Sequence, residues 1–459
     1  MAPYIVTYKD KPQIKCRKYH KSSAEKINII INIANNEKMA EYIRRLLDEE
    51  LDFYMDTFTA VLIKGPKWCG KTTTAEKHAK SVIKMQDPEK SEDYIAAAEA
   101  NVSLILNGEN PRLIDEWQVA PKIWDAIRTD ADEKKRNGMY ILTGSKVPKK
   151  NSYKHSGAGR IGVLFMHPMS LFESGDSDGS VSLERLFSGK EIVNNKSSQM
   201  SSERLAYCVC RGGWPANIGL EYRKCALKLK SYLELIYESD DISTEKYIKN
   251  PDAIRSILHS YSRNISSTAE LKTIHDDVVK KDMSISQSRF NDYINALRNV
   301  FLIDDVRAWN PSIRSKTAIR SSPKRELIDP SIAALLLGIT PDNFVDDFRT
   351  FGLLFESMCI RDLKVYASRL GGNVRYYRDR YGLEADAVIL LDDGRYGLVE
   401  IKLGNTCINE GAQNLCKLEE LIKNAEMKAP SFKMVLTGGG LAYSRNDGVL
   451  VVPIGCLRN

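Results

Sequence analysis

No stretch of eighteen or so apolar residues occurs in the 459-residue sequence, so no membrane-spanning helix is expected. Met1 to Asp10 lack the apolar core of a signal peptide, and a cytoplasmic location is expected. There are nine cysteines, an odd and scattered set. Only Cys208 and Cys210 lie close together, at a spacing that suits neither a zinc knuckle nor a redox pair, so reduced thiols are expected. Internal repeats and low-complexity tracts are missing as well. What is present is ordinary for a folded protein: 43% hydrophobic and 28% charged residues argue against a largely disordered chain. The net charge of +7 permits a nucleic-acid partner without requiring one. The length predicts more than one domain.

Along the chain, Met39 to Leu51 has the spacing of a helix, with Ile43, Leu46, Leu47 and Leu51 on one face. Thr59–Lys64 is a short apolar run closed by Gly65-Pro66, which reads as a buried strand and a turn. Leu104–Leu106, Arg112–Ile114 and Met139–Leu142 are further strand candidates. Strands alternating with helical stretches predict an α/β core with a parallel sheet. Residues 174–202 are rich in Ser, Gly, Asp and Asn and read as a joint. Helical segments follow from Glu203 to Asn250 and from Asp252, ending in a strand-like Phe301–Val306. A helix over Leu353–Leu370 opens the last region.

Gly65-x₄-Gly70-Lys71-Thr72 fits the Walker A pattern, with a strand before it and a helix after it. Gly65, Pro66, Lys67, Trp68, Cys69, Gly70, Lys71, Thr72 and Thr73 are the candidate nucleotide-binding residues. The glycines let backbone N–H groups curl around phosphate, Lys71 neutralises its charge, and Thr72 offers a hydroxyl to Mg²⁺. Asp115 and Glu116 end the run Leu113-Ile114, where Asp115 would join the magnesium shell and Glu116 would activate water. ATP and Mg²⁺ are the expected cofactors. Thr143 or Ser145, at the end of the next strand, is the candidate γ-phosphate sensor. Arg160 sits on a glycine-rich loop, from which it would reach phosphate in its own chain or in a neighbouring subunit.

Leu113 to Pro121, Leu142 to Ser145, His155 to Ile161, His167 to Glu173 and Gly212-Gly-Trp-Pro215 together resemble the prokaryotic AAA-type ATPases that carry a C-terminal domain of unknown function. The resemblance spans nearly the whole chain and is weakest before Phe58. It implies an α/β protein with a RecA-like core, a helical and winged-helix middle, and a restriction-endonuclease-like C-terminal domain. The expected boundaries are 1–58 for an N-terminal helical segment, 59–173 for the ATPase core and 174–250 for a linker and helical lid. A winged-helix domain at 251–340 and the nuclease-like domain at 341–459 complete the division.

The residues of the last region carry their own signal. Glu384–Leu391 and Tyr396–Leu403 read as two strands joined at Asp392-Asp393-Gly394. That hairpin puts Asp386 across from Glu400, with Lys402 on the same face as Glu400. An acid followed by acid-x-lysine on the neighbouring strand is the pattern of the D-(D/E)-x-K nucleases. There carboxylates hold Mg²⁺ (or Mn²⁺) and the lysine stands by the attacking water. Glu356 is a candidate further acid and Gln413 an accessory contact. In the middle region, Ile285–Val300 suits the second helix of a winged helix-turn-helix. Arg314, Lys316, Arg320, Lys324 and Arg325 follow with no acid among them, suiting phosphate contacts. The expectation is an ATP-hydrolysing protein acting on DNA, as a single chain, a homo-oligomer or with a protein partner. The alternative is an ATP-driven signalling or defence switch whose C-terminal domain recognises a partner without cutting.

Overall fold

The computed structural model describes residues 42–146, 156–191, 193–194, 196–239, 242, 250–280, 285–311, 321–344 and 346–459. His155, Arg314, Lys316 and Arg320 lie outside the described residues. The chain divides into two units, and all the described residues except Tyr42 belong to the second, Ile43–Asn459.

The first helix begins later than the periodicity of Met39–Leu51 suggests. Helix α1 spans Leu47–Thr57 and buries Leu47, Leu51 and Met55, each one turn further on. Residues 43–46 are not helical, and one local and one tertiary bond explain why. The N–H of Arg45 donates to Asp48 Oδ2 at 2.9 Å and that of Leu46 to Glu173 Oε1 at 2.9 Å.

Strand β1 (Ala60–Lys64) leads into α2 (Lys71–His78), β2 (Ser81–Lys84), α3 (Ser91–Ala100) and α4 (Ser103–Leu106). Then come β3 (Arg112–Asp115), α5 (Lys122–Lys134), β4 (Tyr140–Gly144) and β5 (Ile161–Phe165). The five strands form one parallel sheet in the order β2-β3-β4-β1-β5. Leu104–Leu106, expected as a strand, is one helical turn. Asn101 Oδ1 accepts from the Ser103 N–H at 3.1 Å and so starts a turn there. β2 and β5 escape the sequence reading because they are the edge strands and leave Val82 and Val163 exposed.

The polar joint is not a free linker. Its β6 (Val181–Ser182) pairs with a strand near the carboxyl terminus, Leu457↔Val181. After α6 (Leu183–Phe187), β7 (Lys196–Ser197) pairs with Leu441–Ala442. Helices α7 (Ser202–Arg211), α8 (Tyr222–Glu238), α9 (Pro251–Arg263), α10 (Leu271–Val279) and α11 (Gln287–Asn299) follow. Ser286 caps α11 by accepting from the Arg289 N–H at 3.3 Å. The strand-like Phe301–Val306 makes only two isolated bridges, Ile303↔Leu327 and Val306↔Lys324.

Helix α12 (Pro330–Leu337) leads to α13 (Phe348–Arg369) and then to β8 (Gly372–Arg378), β9 (Glu384–Leu391) and β10 (Tyr396–Lys402). Helix α14 (Ile408–Asn424) precedes β11 (Phe432–Thr437), β12 (Leu441–Ser444), β13 (Val449–Pro453) and β14 (Leu457–Arg458). The mixed sheet runs β7-β12-β13-β11-β10-β9-β8. One face, with Ile389, Val399 and Leu436, packs on α13, and the other, with Val388, Leu398 and Val435, packs on α14. A single apolar core runs from Leu171 through the helical middle to Leu457, across the expected boundaries at 251 and 341. Among the described residues no helix is long and apolar enough to cross a membrane.

At the centre of that core Arg361 is clamped between Asp329, at 2.9 Å, and Asp362, at 2.7 Å, all three buried. Removing one partner of such a node leaves uncompensated buried charge. Arg361→Met is therefore expected to lower stability by about 3–5 kcal/mol, measured by urea unfolding. Arg369→Met, which breaks an exposed pair with Glu49, should cost about 1 kcal/mol or less. Equal losses in the two variants would contradict the assignment.

Candidate functional site

The phosphate loop lies at the carboxyl end of β1, flanked by β4 and β5. Its backbone admits few alternatives. A Cβ on Gly65 would stand 2.3 Å from the Met166 carbonyl oxygen, and Gly70 has φ 101°. Trp68 adopts φ 73°, costly for a residue with a side chain, and its indole stacks on Trp214 at 5.3 Å and Tyr232 at 5.8 Å. The Gly212-Gly-Trp-Pro215 motif thus packs against the loop, with Pro215 Cγ 3.5 Å from where a Gly70 Cβ would be. Lys71 is buried and donates to the Pro66 carbonyl at 2.7 Å, folded back over its own loop. Lys67 and Thr73 face solvent.

Thr72, Asp115, Glu116, Thr143 and Ser145 form one polar network at the carboxyl ends of β1, β3 and β4. Asp115 Oδ1 accepts from the hydroxyls of Thr72 at 2.7 Å and Thr143 at 2.6 Å. Thr143 Oγ1 in turn accepts from the Glu116 N–H at 3.0 Å. Glu116 sits in the left-handed region, φ 55°, and its Oε2 accepts from Ser145 at 3.0 Å and from Gln118. Hard oxygen donors on Thr72 and Asp115 fit Mg²⁺, which is held by few protein ligands together with substrate phosphate.

The sequence reading gives no role to two residues of this site, although Gln118 lies within the Leu113–Pro121 motif. Gln118 holds the Glu116 carboxylate, and Arg45 donates to the loop carbonyl of Cys69 at 2.9 Å, to Glu173 at 2.9 Å and to the His167 carbonyl at 2.8 Å. Arg160 is not brought to the site. It precedes β5, its carbonyl accepting from the Ala60 N–H at 3.3 Å, so it stands at the opposite end of the strands from the loop. Five residues of strand separate the two, roughly 16 Å. Its guanidinium pairs with Asp132 at 2.9 Å on an exposed surface, and the own-chain alternative does not fit this geometry.

The second cluster gathers at the carboxyl end of β10. The register ends at Val399↔Ala387, the pair next to Glu400 and Asp386. Asp386 Oδ2 accepts from the Ile401 N–H at 2.9 Å, and Lys402 Nζ lies 2.7 Å from Glu400 and 3.9 Å from Asp386. Glu356 of α13 completes three carboxylates, yet they do not close around a shared point. Among the described residues no group of three or more acids, histidines or cysteines is arranged to hold a metal. The physical reason is a residue expected elsewhere. Lys324 is buried, with Nζ against Glu356 Oε1 and 3.3 Å from Asp386 Oδ1. Arg325 is buried too, bonded to the Ala269 carbonyl at 2.7 Å and Asp305 at 3.0 Å, so neither is available for a solvent-facing phosphate contact. Gln413 faces solvent.

Burial, with the nearby Asp386 charge, pushes the Glu400 carboxyl up to about 9 and that of Glu356 up to about 8. Burial pushes Asp386 the same way, but Lys324 and Lys402 together hold it below the usual carboxylate value. Glu400 is fully buried and neither of its oxygens takes a well-aligned hydrogen bond, although the Lys402 ammonium is close.

The unfolded chain releases the Glu400 proton near 4.5, while the folded chain keeps it to about 9. The folded state binds the extra proton between those values, so stability falls as pH rises through that window. Glu400→Gln should flatten the decline in urea midpoint between about pH 6 and about pH 9. Parallel profiles for the two proteins would show that Glu400 does not hold the proton.

Three stretches match known families. Residues 57–174 match a family model described as an AAA domain. Residues 202–343 and 351–457 match two described as domains of unknown function, DUF8612 and DUF4143. Among solved structures, the Walker-type ATPase PABY2304 of Pyrococcus abyssi is similar at 14% identity, over 63% of this chain and 94% of that one, with a TM-score of 0.39. The replication initiator DnaA bound to AMPPCP and single-stranded DNA is similar at 16% identity, over 55% and 85%, with a TM-score of 0.26. Curated proteins give no match. With its phosphate loop at the carboxyl edge of a parallel sheet, the stretch 57–174 is an AAA-type ATPase domain.

Proposed function

We propose that the protein is a Mg²⁺-dependent ATPase that acts on DNA through its middle and C-terminal regions. The observation that carries the ATPase reading is the Thr72–Asp115–Thr143–Glu116 network beside the loop lysine. Lys71 leaves the Pro66 carbonyl to neutralise the β- and γ-phosphates. Thr72 and Asp115 would hold Mg²⁺, which when bound would offset phosphate charge. Glu116, steadied by Ser145 and Gln118, orients and deprotonates the attacking water, and Thr143 ties that carboxylate's backbone to Asp115. Arg160, exposed at the far end of the sheet and paired with Asp132, would serve a neighbouring subunit's nucleotide in a homo-oligomer.

The DNA reading is supported by α10 and α11 followed by the paired segments 303–306 and 324–327, the order of a winged helix. The solvent face of α11 carries Gln287, Asn291, Asn295 and Asn299, one turn apart, and amides of this kind bond base edges. Between the paired segments lies the run containing Arg314, Lys316 and Arg320. In the C-terminal domain, Asp386, Glu400, Lys402 and Glu356 are the residues that a metal-dependent nuclease site would use, with Mg²⁺ or Mn²⁺ as the cation, once the carboxylates close around it. A second reading, an ATP-driven switch whose C-terminal domain recognises a partner without cutting, is favoured by Lys324 standing among those carboxylates.

Lys71→Ala is expected to weaken ATP binding and remove turnover. Glu116→Gln should keep binding while lowering kcat by about 10²–10⁴-fold, because only the transition state needs the base. Turnover surviving both changes would sink the ATPase reading. Replacing Arg314, Lys316 and Arg320 with alanine should reduce the slope of log affinity against log salt by about 3, as fewer counterions are released. An unchanged slope on duplex DNA would remove this segment from the DNA contact.

A further inference from the structure

Lys324 differs from every other lysine near the two sites in how it is held. Its backbone is fixed by both bonds of the bridge to Val306, N–H to carbonyl at 2.8 Å and carbonyl to N–H at 3.0 Å. On its two sides, Arg325 is tied to Asp305 and Ala269, and Glu326 accepts from Ser357 at 2.6 Å and Ser266 at 2.9 Å. The segment 324–326 is thus anchored between the helical middle and α13. Its first side chain is delivered straight into the carboxylate cluster of the C-terminal sheet.

The ammonium has three oxygen neighbours there: a Glu356 carboxylate oxygen, Asp386 Oδ1 at 3.3 Å and the Asp386 carbonyl at 3.3 Å. Carboxylates plus a backbone carbonyl are the donors that a hard divalent cation takes. Next to them stands Glu400, fully buried, with neither oxygen in a well-aligned hydrogen bond. That carboxylate has the Lys402 ammonium at 2.7 Å as its close ion partner, and it lies beside the oxygens that Lys324 holds. The ring of Tyr376 lies 5.8 Å from Nζ and closes another side, its own hydroxyl bonded to the Ser322 carbonyl.

We propose that Lys324 is an internal cation that occupies the metal position of the C-terminal site, so that the described state is a closed one. A divalent metal enters only when Lys324 leaves. Withdrawal frees Glu356 and Asp386 together beside Glu400, which turns the cluster from a salt-bridge node into a ligand set. Lys402 differs in that its side chain is partly exposed, so it stays beside the site as the cation is exchanged. This inference rests on reading the cluster as a cation site and does not require that the site cut DNA.

Mn²⁺ binding to the full-length, nucleotide-free protein tests it, read as loss of the free Mn²⁺ spin-resonance signal. Lys324→Met should gain one site binding about tenfold or more tightly than anything in the wild type, since no ammonium competes for the oxygens. The site should vanish in the double variant Lys324→Met/Asp386→Asn. Equal Mn²⁺ binding by wild type and Lys324→Met overturns the proposal, as does a gained site that persists in the double variant. Should Lys324→Met fail to fold, Lys324→Gln gives a second readout. Millimolar Mg²⁺ should then raise the melting midpoint of Lys324→Gln and leave the wild type unmoved, and equal shifts in both would overturn the proposal. A gained Mn²⁺ site without cleavage of linear, single-stranded or branched DNA leaves the cation exchange standing and removes the nuclease reading. Cleavage by the wild type that Lys324→Met does not accelerate does the reverse.

Discussion

The buried guanidinium of Arg361 is the constraint on which the assembly of the parts depends. It bridges Asp329 at the start of α12 and Asp362 beside it on α13. Each acid spends its remaining valence on another part of the chain. Asp329 accepts from the Gly213 N–H at 2.9 Å, in the motif that packs on the phosphate loop, and Asp362 accepts from the Leu171 N–H at 2.9 Å, just past the ATPase sheet. One cation therefore ties the exit of the ATPase core, the lid motif, the helical middle and the C-terminal domain. Gly213 is required here because a Cβ would stand 2.2 Å from the Met169 carbonyl.

A second polar route joins the nucleotide loop to the same region. Arg45 links the Cys69 carbonyl to that of His167, and the His167 ring meets Asp304 at 3.3 Å. Asp304 is paired with Lys364 of α13 at 2.7 Å, and its neighbour Asp305 binds Arg325, the residue next to Lys324. The phosphate loop and the carboxylate cluster are thus parts of one bonded frame, although they belong to different sheets. Trp68 contributes from the loop itself, since its stack on Trp214 and Tyr232 offsets the cost of its left-handed backbone.

What is legible in the sequence is what local pattern encodes. The Walker A loop, the acids closing β3 and the hairpin that brings Asp386 near Glu400 all depend on residues a few positions apart. They are where turn chemistry and strand alternation put them. The residues that the sequence hides act over long separations. Arg45 meets Glu173 from 128 positions away, and Lys324 meets Asp386 from 62. A lysine in a basic run reads the same whether it faces water or lies buried, so Lys324 and Arg325 look like phosphate contacts. The polar joint 174–202 likewise reads as a linker, because pairing by two-residue strands leaves no periodicity to find. Arg160 shows a different limit, since a motif fixes neighbours in sequence but not which end of the sheet they reach.

The carboxylate cluster is hard to account for as a stabilising device. Three acids and two lysines lie there largely out of water, and the desolvation of buried ion pairs commonly cancels their attraction. Apolar side chains of similar volume would serve the core as well. The arrangement instead keeps one carboxylate, Glu400, protonated and poorly bonded, and pulls its neighbour Asp386 the other way. Perturbed carboxyl groups of this kind cluster at functional sites. With the cluster buried, a change in its charge is carried by a cation or a proton that arrives or leaves. Lys324 already fills the cation's part with a side chain, which accounts for three acids standing together in the core.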